Sequence, residues 1–353
     1  MTIQGPSKKD IKDFLYHEIV AYFESIGEKP FRATQIFDWV YKKGAENFDS
    51  MTNLPVALRD KLKNDFAFEG LSLAESKVSE DQTTKYLFSL HDKEKVETVL
   101  IPTETRGTAC ISTQAGCKFG CGFCASGIGG WIRNLTCAEI IAQVLYVKKH
   151  QSHHELSHIV FMGVGEPLDN YDNVTKAIHI INSAYGINIG ARRITISTCG
   201  LIPQIKKLIH EGVQVELAVS LHGSSQEKRN ILMPVNRKYP VNDLVAACKE
   251  YIEATNRQVT FEYILIRNVT CTEESAKELA KLLRGMICKL NLIPYNPVAE
   301  FPHEPPSKME MLFFKKRLLE LGVHATIRMP RGRDVNAACG QLRHASQPSN
   351  KMA

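Results

Sequence analysis

No apolar run in this chain of 353 residues exceeds a few positions, Ile264-Leu265-Ile266 being typical. A membrane-spanning helix needs about 20 such residues, so none is expected. The opening MTIQGPSKKD has no apolar stretch ahead of a small-residue cleavage site, so no secretory signal is expected and the chain is assigned to the cytoplasm. Internal repeats and low-complexity tracts are also missing, which argues against a solenoid. Charge of one sign is scarcely in excess: Lys plus Arg 44 against Asp plus Glu 38 gives +6. That permits a polyanionic partner without demanding one. What remains is an ordinary soluble composition, 44% hydrophobic and 23% charged, with ample material for a core.

Ten cysteines are present, and in a leaderless chain they are not expected to form structural disulfides. Cys110, Cys117, Cys121 and Cys124 crowd together, while Cys137, Cys199, Cys248, Cys271, Cys288 and Cys339 are scattered. Clustered thiols point to metal or redox chemistry. Scattered ones are by default small buried hydrophobes.

Apolar spacing predicts helices over Lys8–Ile26, Pro30–Tyr41 and Leu54–Phe66. Residues 1–75 are therefore read as a small helical domain, and 76–106 as a β extension containing runs at 85–90 and 96–101. From about 107 to 343, apolar β-branched runs alternate with amphipathic helical stretches. Strands are expected at 108–113, 158–163, 193–198, 215–221, 259–266, 289–294 and 324–329, with helices between them. This is the pattern of a parallel α/β sheet covered by helices, either doubly wound or a partial TIM-like barrel. In both, ligands sit beyond the C-terminal ends of the strands. Residues 344–353 are expected to be a frayed tail.

After the first strand of this region comes Gly116-Cys117-Lys118-Phe119-Gly120-Cys121-Gly122-Phe123-Cys124. Three cysteines at C-x3-C-x2-C on a glycine-containing loop can wrap a compact soft centre. Zinc would need a fourth ligand, and no histidine lies between His91 and His150; Cys110 or Cys137 could serve. An open fourth position suits a [4Fe-4S] cluster whose unique iron binds substrate, and the cluster is favoured.

The motif C-x3-C-x2-C with an aromatic before the last cysteine resembles that of radical S-adenosylmethionine (SAM) enzymes. Further segments narrow the resemblance to the RlmN/Cfr family of RNA adenosine methyltransferases. They are Lys29-Pro-Phe-Arg32, Val96-Glu-Thr-Val99, Ser112-Thr-Gln114, Arg133-Asn-Leu135, Gly163-Val-Gly-Glu-Pro167, Ser220-Leu-His222, Ile293-Pro-Tyr-Asn296 and Ala337-Ala-Cys-Gly-Gln-Leu342. Together they cover nearly the whole chain. The resemblance implies a (β/α)6 radical SAM partial barrel, a [4Fe-4S] cluster on Cys117, Cys121 and Cys124, and two SAM molecules per turnover. It implies SAM binding by Gly165, Glu166, Ser197, Ser220, Leu221, His222 and Asn296. Taken singly, Glu166 reads equally as a helix cap, the serines as partners of local backbone, and His222 as a core histidine.

By the same resemblance, Cys339 takes a methyl from one SAM, and a radical from a second SAM removes hydrogen from that S-methyl. The methylene radical adds to adenine. Cys110 then attacks the Cys339 sulfur, releasing the base and leaving a transient Cys110–Cys339 disulfide. Glu97 matches the family's proton acceptor, although an exposed strand glutamate is the plain alternative. The expected substrate is C2 of an adenosine in 23S rRNA at the peptidyl-transferase centre, and also tRNA immediately 3′ of the anticodon. Lys29-Pro-Phe-Arg and Thr260-Phe-Glu-Tyr favour C2; Ala125-Ser-Gly127 and Asn336 lean towards C8, the resistance branch. A non-catalytic metal-stabilised RNA-binding protein is the reading from another class. An electron donor of flavodoxin or ferredoxin type and a monomeric state are expected. Arg192-Arg193, Lys228-Arg229, Arg237-Lys238 and the arginines near Cys339 (328, 331, 333 and 343) are candidate phosphate holders. The resemblance also implies that the helical domain, with Lys29, Arg32, Lys42 and Lys43, is an RNA-docking element.

Overall fold

The computed structural model describes residues 8–151 and 155–343; the expected tail at 344–353 lies outside them. At the N-terminus are α1 (Tyr16–Ser25), α2 (Phe31–Phe37, continuing as a wider turn to Lys42) and α3 (Val56–Asp65). The single helix expected over Lys8–Ile26 is broken. Asp10 accepts from the Lys12 N–H and caps a short turn at Ile11–Asp13, and Phe14 and Leu15 are extended. Leu15 N–H then donates to Glu18, which starts α1. Side-chain capping offers the backbone a better local alternative than a continuous helix.

Next come β1 (Ser72–Val78), β2 (Thr84–Ser89), β3 (Lys95–Pro102) and β4 (Gly107–Cys110), an antiparallel meander. All seven β1 residues are exposed, which is why no apolar alternation announced this strand. It straddles the expected 75/76 boundary. A hairpin follows, β5 (Gln114–Gly116) with β6 (Trp131–Asn134), and the cysteine loop is strung between its strands. Beyond it the chain runs α4 (Cys137–His150), β7 (Leu156–Phe161), α5 (Tyr171–Asn182), β8 (Ile194–Thr198), α6 (Ile202–Leu208), β9 (Glu216–Ser220), α7 (Gln226–Leu232), α8 (Val241–Thr255), β10 (Val259–Leu265), α9 (Glu273–Leu282), β11 (Cys288–Pro294), α10 (Lys308–Glu320) and β12 (Ala325–Ile327).

Strand order in the large sheet is β1-β2-β3-β4-β7-β8-β9-β10-β11-β12, with every pair from β4 onward parallel. A doubly wound sheet reverses its order at a switch point. This one never reverses, so the helices stay on one face and the sheet curls as a partial barrel. Ile159, Phe161, Ile194, Ile196, Leu217, Val219, Val259 and Phe261 are buried in its core.

The helical region docks on the barrel through α4 and α5. Asp13 accepts from the Ala138 N–H at the start of α4 at 2.7 Å, the Cys137 thiol donates to the Lys12 carbonyl, and Lys176 pairs with Glu18. No described helix is long and apolar enough to cross a membrane.

The two edges of the open sheet are joined by side chains and loops. Asp334 accepts from the Ser79 hydroxyl at 2.6 Å, Asp81 accepts from the Gly332 N–H, Lys85 donates to the Asn336 carbonyl, and Glu97 accepts from the Arg343 N–H at 2.7 Å. Residues 331–343 thus form a strap from β12 back to the meander.

Candidate active site

The rim at the C-terminal ends of the parallel strands gathers most of the expected residues. Cys117, Cys121 and Cys124 lie partly buried on the loop between β5 and the turn at Ala125–Gly127. Gly116 starts the loop with φ +76°, and a Cβ there would strike the Gly130 carbonyl, so only glycine closes this hairpin. Burial pushes all three thiols up, Cys117 to about 12, and the charges of Cys117 and Cys124 push Cys121 further. Three partly buried thiolates that repel one another call for a positive centre. Among the described residues no three His, Cys, Asp or Glu side chains converge where one metal ion could sit. Cubane ligands bind separate irons and need not converge on a point. The donor set, three soft thiols without a local fourth, therefore fits an iron–sulfur cluster. Cys137, buried against Lys12, and Cys110, packed with Val99, Val164, Ala337 and Leu342, are engaged elsewhere.

The strap brings Cys339 to this loop. The Ala125 N–H donates to the Gly340 carbonyl at 2.7 Å and the Ser126 hydroxyl to the Leu342 carbonyl at 2.8 Å. Cys339 is exposed, yet crowding by surrounding protein raises its pKa; Arg328 opposes the rise, while Glu262 and Cys124 add to it. Cys110, at the end of β4, is buried in a small apolar cluster with Val99, Val164, Ala337 and Leu342. Burial and the charge of Cys339 push it strongly up. All ten cysteines are free thiols. The structure therefore holds no disulfide, and the expected Cys110–Cys339 bond is not part of it.

Glu97 on β3 is not an exposed strand residue: it is 7% exposed, paired with Lys85 at 3.0 Å and hydrogen-bonded by Arg343 N–H. Lys85, which sequence reasoning missed, links it to Asn336 of the strap.

The expected SAM-binding residues divide into those with free surface and those already engaged. Glu166 is buried and both oxygens are used, one accepting from Leu168 N–H and the other from Cys199 N–H at 2.7 Å. Burial raises its pKa and these bonds oppose the rise. It thus caps the turn after β7 and ties it to the end of β8. Gly163 and Gly165 (φ +102°) admit protein backbone rather than leave open space, since a Cβ would strike Ile111 and Ser112 or Gln114. His222 (φ +51°) accepts on Nδ1 from Ile264 N–H, which leaves the proton on Nε2. Burial lowers its pKa to about 3, with the charge of Arg229 adding to the shift, so it is neutral. Asn296 donates to the Cys339 carbonyl and accepts from Arg333, and so steadies the strap. Leu221 is fully buried, whereas Ser197 and Ser220 are partly open at the ends of β8 and β9.

Several basic pairs are placed otherwise than expected. Arg192 and Arg193 precede β8, and with Gln214 and Arg257 they line a depression at the N-terminal end of the strands, opposite the rim. Lys228 is paired with Glu274 and Glu278. Arg229 is wholly buried: it donates to the carbonyls of Leu221, Cys199 and Ser220 and to Asn236. Burial lowers its pKa to about 10, and the nearby thiols of Cys199 and Cys121 oppose the fall. An Arg adjacent to a Lys in sequence gave no sign of this internal role. Arg237 and Lys238 are exposed.

Residues 9–67 match the ribosomal RNA large subunit methyltransferase N-terminal domain, and residues 111–283 match the Radical SAM superfamily. A probable dual-specificity RNA methyltransferase RlmN from Clostridium perfringens strain SM101 is 46% identical over 340 residues, covering 96% of this chain and 97% of the relative. The chain belongs to the RlmN family of radical SAM methyltransferases. A relative of the same description from Spiroplasma citri is 47% identical over 334 residues, covering 94% of this chain and 95% of its own. The crystal structure of a radical SAM methyltransferase from Sphaerobacter thermophilus superimposes with a TM-score of 0.91 at 42% identity, covering 95% of this chain and 99% of that one. The RlmN family uses a [4Fe-4S] cluster and two SAM molecules per turnover, which agrees with the cysteine loop described above.

Proposed function

We propose that this enzyme methylates C2 of an adenosine in 23S rRNA at the peptidyl-transferase centre and of the tRNA adenosine 3′ of the anticodon, with Cys339 as methyl carrier. One observation carries the reading: the strap that bears Cys339 is hydrogen-bonded to the cysteine loop and packs, through Ala337 and Leu342, in one apolar cluster with Cys110. That juxtaposition supports a carrier that must meet both SAM and a second thiol. The dual specificity in the relatives' names supports both RNA substrates.

Cys117, Cys121 and Cys124 would hold the cluster, which would supply the electron for reductive cleavage of SAM. The chain's own residues do the rest. Cys339 takes a methyl by nucleophilic attack and presents it to the base. Glu97, held by Lys85 and Arg343, accepts a proton from the adduct. Cys110 attacks the Cys339 sulfur and frees the product, which leaves a transient disulfide for reduction. Gly165, Glu166, Ser197, Ser220, Leu221, His222 and Asn296 shape the SAM site, partly through the bonds described. Residues 1–75 dock RNA, 76–106 extend the sheet and 107–343 form the catalytic barrel. The enzyme works as a cytoplasmic monomer fed by a flavodoxin- or ferredoxin-type donor.

The test is anaerobic turnover on rRNA and tRNA, followed by nuclease digestion and chromatography. The parent yields 2-methyladenosine, Cys339→Ala yields none, and Cys110→Ala accumulates RNA covalently bound to protein. 8-Methyladenosine as the main product would overturn the C2 assignment, and full activity of either variant would overturn the two-thiol scheme.

A further inference from the structure

Arg192 and Arg193 are expected phosphate holders, yet they stand at the floor of the barrel, the end away from the cysteine loop. They occupy the short turn Ala191–Arg193 that leads into β8. Strand register fixes their neighbours. Ile194 pairs with Ile159 of β7 and Thr195 with Glu216 of β9, so Arg193 stands between His158 and the approach to β9 that carries Gln214. Arg257 lies two residues ahead of Val259, which opens β10 and pairs with Leu217. Arg192, Arg193, Gln214 and Arg257 line one depression. Gly190 lies at its edge, where an added Cβ would meet nothing within 4 Å. The depression is therefore open to a large partner.

Its charge is not balanced from within. Arg257 is paired with Glu216. Arg192 and Arg193 are exposed, with no ion pair or side-chain hydrogen bond among the described residues. Arg106, one residue ahead of β4, is in the same state. The other acids at this end, Glu104 and Glu155, are exposed beside Arg106 and ahead of β7, and no acid lines the depression. Uncompensated guanidinium groups at the starts of neighbouring strands repel one another and attract anions. Each presents a planar fork of N–H donors that matches a phosphate. Gln214 adds an amide able to donate to a phosphate oxygen or accept from a ribose hydroxyl.

We propose that this floor binds the phosphate backbone of a distal part of the same RNA whose adenosine enters the rim, an inference resting on RNA being the substrate. The five residues of β8, Ile194–Thr198, separate Arg193 from the rim by roughly 17 Å. A layer of helices about 10 Å thick stands outside the strands. An RNA touching both ends must pass around that layer, so only a large substrate engages the floor. Phosphate contacts of this kind carry no sequence information; they add affinity and orient a long RNA. An acidic electron donor is the less favoured occupant, because it would dock a full strand length from the cysteine loop.

The experiment compares cluster-reconstituted parent, R192A/R193A and R192K/R193K on two RNAs. One is a full-length 23S rRNA transcript, the other a short single-stranded oligonucleotide centred on the same adenosine. Binding is followed against salt, and methyl transfer against RNA concentration. Loss of two phosphate contacts should lower the slope of log K against log salt by about 2 on the long transcript. Its KM should rise while kcat stays the same. R192K/R193K keeps both charges and should keep the parental slope. The oligonucleotide, too short to pass the helices, should not distinguish the three proteins. Parental slope and KM for R192A/R193A on the long transcript overturn the proposal. So does an equal loss on the oligonucleotide, which would place the effect at the rim or in the fold, and so does R192K/R193K falling as far as R192A/R193A. Parental RNA binding with slower reduction by the electron donor would make the floor a protein-docking surface instead. A parent that methylates neither RNA fails the RNA reading itself, a result independent of the arginines.

Discussion

On the β7–β9 side of the rim, Glu166, Gln114, His222, Asn236 and Arg229 are all buried and bonded to backbone or to one another. On the opposite side, residues 331–343 cross the rim without regular structure, and Arg328, Arg331, Arg333 and Cys339 are exposed. The first side is set before any ligand arrives, as a site that must position a small cofactor requires. The second is irregular backbone held by separate hydrogen bonds to the meander, the cysteine loop and Asn296, which suits the carrier role proposed for Cys339. Rigidity and reach are thus assigned to different elements of one site.

Removing the centre of the rigid side should have the largest effect. Arg229→Ala leaves the carbonyls of Leu221, Cys199 and Ser220 and the Asn236 side chain without their donor. A loss of about 3–5 kcal/mol in urea unfolding is expected. A loss below about 1 kcal/mol would show that this side is not the rigid one.

Next in size is a pH effect. His222 is neutral in the fold, its pKa lowered to about 3, whereas the unfolded chain binds a proton below about 6.5. Stability is therefore complete above 6.5 and declines as pH falls towards 3, by up to about 1.4 kcal/mol for each pH unit. Unfolding midpoints of parent and His222→Asn through this range should converge as pH drops. Parallel lines would mean that the imidazole is not buried as described.

The smallest effect belongs to the strap. Ser79→Ala removes the donor to Asp334 and should cost about 1 kcal/mol, while methylation of Cys339 by SAM slows and iron content stays the same. An equal loss of iron would show that the two sides are coupled more tightly than the comparison holds.

The parallel barrel was legible because its strands and helices alternate in apolar pattern: α4, α5, α6, α8, α9 and α10 each fall between two of the expected strands. The cysteine loop and the grouping of Cys110 with Cys339 were legible through motif spacing and resemblance. What escaped is informative. β1 has no buried face and so no pattern. The seven-residue α7 was too short to show a period. Arg229 and Glu262 are polar residues inside the barrel, and their burial depends on which strands become neighbours, a fact no local window contains. Lys85 joins Glu97 to the strap only because residues 331–343 return across 246 to 255 positions of chain.

That return governs the order in which the molecule can assemble. Within the large sheet, neighbouring strands follow one another closely along the chain, interrupted only by the β5–β6 hairpin, so the sheet can grow pair by pair as synthesis proceeds. The strap instead closes loops of nearly the whole barrel, from Ser79 to Asp334 and from Glu97 to Arg343, and closures of that span come late in folding. The exposed Cys339 is therefore brought over the cysteine loop only after the walls around it are complete. An unfinished chain keeps Cys339 apart from the cysteine loop.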